Sequence, residues 1–260
     1  MPIIQHLGTA FASGGGGTGD LGQVLDNMQV WLDPRNWSSL SQNSDAAFGA
    51  GSISSGNWRI MNQNASYVNG TNNQGVEPSS ANTNMCTLTY GDTVSGMNNL
   101  DDYSMQLWIY VGTQNHGSWG YIGGKSSFWG SQTAGIFIQS NGTEWGFHTS
   151  TDGALSFDMP ANGWHNVCGV RDTNAANSRK FYVDGSLVGE DNIGGGNSAH
   201  SLNYAGGLSV LCHANSATTS GGYTVAQSGF KFGHCFFYSD ALSAGEVLAN
   251  FNATKTIYGL

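Results

Sequence analysis

Lys180-Phe181-Tyr182-Val183-Asp184-Gly185-Ser186-Leu187-Val188 is the stretch that decides the fold class. Two short β-forming runs flank an Asp-Gly pair. Both central residues of a type I′ turn need positive φ, which Gly adopts freely and Asp tolerates, so the stretch predicts a tight antiparallel hairpin. The same signals recur on either side of it. Tyr103, Met105, Leu107, Ile109 and Val111 alternate with Ser104, Gln106, Trp108 and Tyr110, which predicts a long strand with one apolar face. Gly135 to Gln139 and Glu144 to His148 flank Ser140-Asn141-Gly142-Thr143, a second hairpin with Asn-Gly at its tip. Trp164 to Val170 and Phe230 to Tyr238 read as further strands. Helical signals are scarce until Ser243-Ala-Gly-Glu246, a capping-box pattern. Val247, Leu248 and Phe251 then share one face, which predicts a short C-terminal helix. The fold class is therefore all-β with one terminal helix.

Composition agrees with this class and narrows the function. The 260 residues include 39 Gly and 4 Pro, as many short strands joined by many turns require. Charged residues make up only 10% of the chain, against about a quarter in an average domain. The polar surface must then come from Asn, Ser, Thr, Gln and Gly, which suits packing against other subunits and hydrogen bonding to neutral ligands such as sugars. Net charge is −9 with 8 Lys plus Arg, and no basic cluster exists, so nucleic acid and anionic lipid are excluded as expected partners. No apolar run is long enough to cross a membrane as a helix. The start, Met1 to His6, lacks the basic and apolar regions of a signal peptide, and synthesis in the cytosol is expected. Four widely spread cysteines, Cys86, Cys168, Cys212 and Cys235, predict free buried thiols and no disulfide framework.

Residues 1–20 contain Ser13-Gly14-Gly15-Gly16-Gly17-Thr18-Gly19 and are expected to form a flexible arm ahead of one domain, 21–260. Residues 191–203 and 213–224 are rich in Gly, Ser and Asn and are expected to be loops. Five Asn-x-Ser/Thr sites, at Asn36, Asn64, Asn69, Asn141 and Asn252, are read as a consequence of the Asn-rich composition.

Three stretches together resemble the laminin G-like branch of the concanavalin A-like lectin/glucanase superfamily. They are Val30-Trp-Leu-Asp33 with the segment from Pro34 to Ser41; Asn162-Gly-Trp-His-Asn-Val-Cys-Gly-Val-Arg171 followed by the hairpin at 180–185; and Phe237 to Glu246 running on to Tyr258. Each motif is common alone, and their order and spacing carry the likeness, which spans roughly residues 28 to 260. The resemblance implies a two-sheet antiparallel jelly-roll sandwich, with Trp164 as an anchor of the sandwich. Residues 42–100 match poorly and are expected to hold insertions.

The enzymatic branch of that superfamily cleaves β-glucans with carboxylates spaced Glu-x-Asp-x-x-Glu on one strand. The chain has four Glu, at 77, 144, 190 and 246, and none falls in that pattern. Asp152 and Asp158 are the alternative carboxylate pair, and no catalytic residue is assigned. Gly123-Gly124-Lys125-Ser126 has the end of a phosphate loop but Trp119 where its first glycine belongs. Cys212-His213 and His234-Cys235 are a weak candidate zinc set, because adjacent strand residues point to opposite faces. Calcium is a familiar ligand of the resembled family. Asp101, Asp102, Asp152 and Asp172 are candidates by loop position, but no dense Asp cluster appears, so no metal residue and no cofactor is assigned. Sugar binding needs exposed aromatics for stacking, and Trp119, Phe128 and Trp129 in a Gly- and Ser-rich segment are the candidates.

The chain also resembles laminin G-like domains of tailed-bacteriophage structural proteins. That resemblance implies a non-catalytic virion surface protein (head decoration, knob or fibre component), made in the host cytoplasm and displayed on the particle. Its expected partners are other virion proteins or copies of itself, and host-surface glycan. A bacterial carbohydrate-binding module or adhesin, and a glycan hydrolase, are the alternatives.

Overall fold

The structure, a computed structural model, describes residues 22–24, 26–32, 47–48, 58–61, 65–66, 77–78, 87–90, 100–112, 120–126, 133–138, 144–149, 154–158, 162–192, 208–210, 212–214, 222–225 and 231–260. The expected arm, residues 1–20, lies outside them. The strands in chain order are β1 (Met28–Leu32), β2 (Ala47–Phe48), β3 (Trp58–Met61), β4 (Ala65–Ser66), β5 (Glu77–Pro78) and β6 (Thr87–Tyr90). Then come β7 (Tyr103–Val111), β8 (Gly120–Ser126), β9 (Thr133–Ile138), β10 (Glu144–Thr149), β11 (Ala154–Asp158) and β12 (Gly163–Arg171). The rest are β13 (Arg179–Val183), β14 (Ser186–Asp191), β15 (Leu208–Val210), β16 (Cys212–Ala214), β17 (Gly222–Val225) and β18 (Lys231–Tyr238). One helix, α1 (Ala244–Thr254), runs into a 3-10 turn at Lys255–Tyr258.

Two antiparallel sheets carry the architecture: six strands in the order β1-β18-β7-β12-β13-β14, and five in the order β11-β10-β9-β8-β15. They pack face to face as a jelly-roll sandwich. The tight turn forms as its sequence requires, with φ of 51° at Asp184 and 77° at Gly185. The Asp184 carboxylate also accepts the Asn166 N–H and lies 2.8 Å from the His165 ring, so the turn is tied to β12. The small pairings β2-β3-β6 and β4-β5 occupy residues 47–90, where the family resemblance is weakest. Residues 213–214 and 222–224, expected to lie in a loop, instead belong to β16 and β17, which pair. These strands are three and four residues long, too short for an alternation to announce them.

Between the sheets, Met105, Leu107 and Ile109 of β7 are fully buried with Val167 and Phe181, opposite Trp145 and Phe147 of β10. Phe157 stacks on Phe181 at 4.0 Å between ring centres. At Gly169 a Cβ would lie 2.5 Å from the Phe147 ring, so only glycine lets that ring seat against β12. Charge enters this interior at one end. Arg171 and Arg179 are 1% and 2% exposed. Arg179 holds Asp191 with two hydrogen bonds, at 2.8 and 2.5 Å, and donates a third across the sandwich to the Phe147 carbonyl at 3.3 Å. Arg171 donates to the Asp101 carbonyl. A buried guanidinium is tolerated only when paired in this way. Burial, with Arg179 adding to it, lowers the His148 pKa to about 4.

The other face of the six-stranded sheet is buried as well. Ser104, Gln106 and Trp108, expected on the polar face of β7, are all fully buried beneath the C-terminal segment. The capping box at Ser243 and Glu246 forms. Of the helix's apolar residues, Val247 is buried, Phe251 stacks on Trp108 and Leu248 is 44% exposed, and its other buried positions are the polar Asn250 and Thr254. The sheet below explains this, because it offers amides and an indole N–H that need polar partners. Gln106 Nε2 donates to Asn166 Oδ1 and to the Val247 carbonyl. Asn250 Nδ2 donates to Gln106 Oε1 and the Tyr238 hydroxyl, while its Oδ1 accepts the Val24 N–H. Trp108 Nε1 donates to Thr254 Oγ1, which donates to the Asn250 carbonyl. Around this network lies an apolar cluster that includes Met28, Cys168, Val170, Phe236 and Leu242. Trp164 belongs to this outer side. It pairs with Tyr110 in the β12–β7 register and packs on Tyr258, and so ties the C-terminal segment to the six-stranded sheet.

Two outcomes test this packing. Asn250→Ala strands three partners of a buried network and should cost about 2–4 kcal/mol in urea unfolding. Exposed Leu248→Ala, two residues earlier on the opposite side of the helix, should cost well under half of that. His148 gives a pH signature. Its folded pKa lies below the ordinary 6.5, so the unfolded chain binds more protons between pH 6.5 and 4. This contribution is full above that window and is lost as pH falls through it. Melting curves of His148→Gln should therefore fall less steeply than wild type from pH 7 to 4, by on the order of 2 kcal/mol over the window.

Candidate functional site

The aromatic set Trp119, Phe128 and Trp129 lies outside the described residues. Its immediate frame is described: β8 starts at Gly120 and sits between β9 and β15 in the five-stranded sheet. That sheet turns Trp145 and Phe147 inward, so Glu144 on the same strand points to the opposite, outer face. In the β10–β11 register Glu144 stands directly across from Asp158. Directly opposed residues have Cβ atoms about 5 Å apart, which brings two carboxyl groups near the separation that retaining glycoside hydrolysis uses. Asp158 is exposed and Glu144 half-buried. A general acid is normally raised into range by an apolar pocket, and Asp158 has no such setting. Asp152, its other candidate partner, lies outside the described residues.

The remaining carboxylates hold the fold. Asp102 accepts the Thr173 N–H at 2.6 Å, the Thr173 hydroxyl at 2.7 Å and the Asn174 amide at 3.3 Å, fixing the turn after β12. Asp172 accepts the Asn174 N–H and lies 3.6 Å from Lys180 Nζ. Asp101 meets Arg171 through its backbone carbonyl. Three of the four calcium candidates thus share one rim, and two of their carboxylates are engaged in shaping it. Among the described residues no three His, Cys, Asp or Glu side chains come together in a metal-binding group. Of the candidate zinc set, Cys212 and His213 lie on β16, and His234 and Cys235 on β18 of a different sheet. His234 accounts for itself otherwise, with Nδ1 2.6 Å from the Tyr258 hydroxyl. Cys168 and Cys235 are free and buried, and burial pushes both thiols well up, away from the reactive thiolate.

One surface feature went unread in the sequence. On the outer face of the six-stranded sheet, Trp108 stacks on Tyr258 with ring centres 4.1 Å apart and on Phe251 at 5.7 Å. Trp164 packs on Tyr258 at 4.6 Å and meets Tyr110 edge-on at 5.6 Å. Lys231 stands 5.1 Å over the Tyr110 ring and Lys255 5.5 Å over Phe251. Trp108 and Tyr258 are buried, whereas Tyr110, Trp164, Phe251 and both lysines are half-exposed. The signal lay in the alternation of β7: the positions between its apolar residues hold Trp108 and Tyr110, aromatics where solvent would favour polar side chains.

A laminin G family model, described as the concanavalin A-like lectin/glucanases superfamily, matches residues 80–247, well over half of the chain. No curated protein matches it significantly. Among solved structures, Trypanosoma rangeli sialidase bound to 2-keto-3-deoxy-D-glycero-D-galacto-2,3-difluoro-nononic acid superposes with a TM-score of 0.61 at 14% identity, covering 97% of this chain and 37% of that one. The same organism's sialidase without that ligand gives 0.59 at 12% identity, covering 89% and 33%. A structure titled as a receptor binding domain gives 0.53 at 13%, covering 82% and 49%. The chain thus spans about a third of the sialidases' length, and at these identities the likeness is one of fold. The paired sheets, the clamping C-terminal helix and the matched segment together place the chain in the concanavalin A-like lectin/glucanases superfamily.

Proposed function

We propose that this chain is a non-catalytic structural protein on the surface of a bacteriophage virion, a head-decoration, knob or fibre component with weak affinity for host-surface glycan. The observation that carries this reading is how the charged groups are spent. With 10% charged residues in the whole chain, Asp102, Asp172, Asp184, Asp191, Glu246, Arg171 and Arg179 all serve turns, caps or the sandwich interior. Such a domain is a rigid display unit with a neutral amide and hydroxyl surface, suited to dense packing beside other subunits. Its partners are other virion proteins or further copies of itself. Edge strand β14, with Leu187 and Val188 exposed, offers apolar contact area for them. Made in the host cytoplasm, the protein would meet glycan only after release of the particle.

A second reading, glycan hydrolysis, is favoured by one observation, the Glu144–Asp158 opposition. Both readings are decided by measurement. Mass spectrometry of purified particles should find the chain at a copy number comparable with a major capsid protein. Its absence from particles would overturn the virion reading and favour a bacterial carbohydrate-binding module or adhesin. Incubation with β-glucans and sialosides should release no sugar, and release that disappears in Glu144→Gln would establish the hydrolase instead.

A further inference from the structure

We infer that Asn162 is a site of spontaneous covalent modification, where the folded chain slowly turns a neutral amide into a carboxylate. The reaction is intramolecular. The backbone nitrogen of Gly163 attacks the side-chain carbonyl carbon of Asn162. The new C–N bond closes a cyclic imide, the bond from that carbon to the amide NH2 breaks, and ammonia leaves with the proton given up by the attacking nitrogen. Water then opens the imide at either carbonyl and leaves aspartate or isoaspartate. No electrons change hands, and the only co-reactant is solvent water.

Three observations place the reaction here. Asn162-Gly163 is the Asn-Gly pair among the described residues; Asn69-Gly70 and Asn141-Gly142 lie outside them. A following glycine matters because a Cβ on that residue would crowd the attacking nitrogen and restrict its backbone. Asn162 is exposed, and its amide makes no hydrogen bond among the described residues. Gly163 stands at φ 136°, a conformation that suits glycine, and a Cβ built there would meet nothing within 4 Å, so the space around the pair is open. Other asparagines lack one of these features. Asn166 and Asn250 are buried in the network beneath the helix, and exposed Asn252 is followed by Ala253.

Asp184-Gly185 is the internal contrast, because an Asp-Gly pair closes the same ring with loss of water. The Asp184 carboxylate accepts the Asn166 N–H at 2.8 Å and lies 2.8 Å from His165 Nδ1, and the Asp184 N–H donates to the Asn166 carbonyl at 2.7 Å. That carboxylate cannot turn toward the Gly185 nitrogen without breaking those bonds. Two pairs that look alike in the sequence thus differ in fate through their surroundings. The change at Asn162 is also one the fold can absorb. Gly163 opposite Val111 is the end pair of the β12–β7 register, which runs on from Trp164–Tyr110 to Arg171–Tyr103. Isoaspartate adds one backbone carbon ahead of that end pair and leaves the pairs behind it in register. The product is a folded chain whose net charge of −9 has become one unit more negative, to an extent that records the time since synthesis.

This inference depends on neither the virion nor the glycan reading. Its test is incubation of the folded full chain in mildly alkaline buffer, with peptide mass spectrometry at successive times and the urea-unfolded chain run in parallel. The peptide carrying Asn162 should gain the mass of amide-to-acid conversion and separate into isoaspartyl and aspartyl forms. The peptide carrying Asp184 should remain a single aspartyl form in the folded chain. Asn162→Gln, whose longer side chain disfavours the ring, should abolish the conversion at that position and keep the wild-type melting curve, since the residue is exposed. An Asn162 peptide that stays unconverted in the folded chain, over the time in which the unfolded chain converts fully, would overturn the inference. So would isomerisation of Asp184 that outpaces conversion of Asn162 in the folded chain.

Discussion

The paired amides of Gln106 and Asn250 are the interaction on which the rest of this structure depends. Gln106 lies at the middle of the central strand β7, where a second apolar face would otherwise need a second sheet to cover it. Its amide instead links to Asn166 on the neighbouring strand and to Val247 and Asn250 on the helix. Asn250 then reaches Tyr238 on β18 and Val24 ahead of β1. One side-chain pair thus joins both ends of the described chain to its centre. The bonds among Gln106, Asn166, Val247, Asn250 and Tyr238 are buried, so a helix shifted by one turn would leave several buried amides unpaired. The network fixes the helix register more strictly than apolar contacts could.

The sandwich interior solves the opposite problem. There the sheets meet through aromatic rings seated against a glycine, and the charges at one end are consumed in cross-sheet and strand-end bonds. Arg179 binds Asp191 within its own sheet and the Phe147 carbonyl of the other, so it closes the gap between layers where the apolar packing ends. The cost of burying it is offset because its planar fork meets three oxygens at once. On the outer face of the five-stranded sheet Glu144 stands across from Asp158 in the β10–β11 register.

Much of this was legible in the sequence, and the exceptions share a cause. The Asp184-Gly185 turn, the alternation of β7 and the Ser243–Glu246 cap are local signals, each decided by residues within one turn or strand, and all three formed as read. The covering of the polar face of β7 is a contact between residues about 140 positions apart, Gln106 with Asn250 and Trp108 with Thr254. No local pattern announces such a pairing. For the same reason the helix pattern does not announce that Asn250 and Thr254 are buried beside Val247 against the amide and indole groups of β7. The aromatic candidates Trp119, Phe128 and Trp129 lie outside the described residues, and the carboxylates of Asp102 and Asp172 proved to be turn-builders.

The scarcity of charge ties these findings to function. A protein that buries Arg171 and Arg179 and uses Asp102, Asp172, Asp184 and Glu246 to shape turns and a cap leaves recognition to rest largely on shape, amides and aromatic rings. Affinity from such a surface is modest for any single contact, because hydrogen bonds to neutral groups exchange with water at little net gain. Particle surfaces compensate by repetition: many copies, each binding weakly, give an avidity that a single domain lacks. A domain with a rigid clamp and few charged residues suits the repeated display proposed for it.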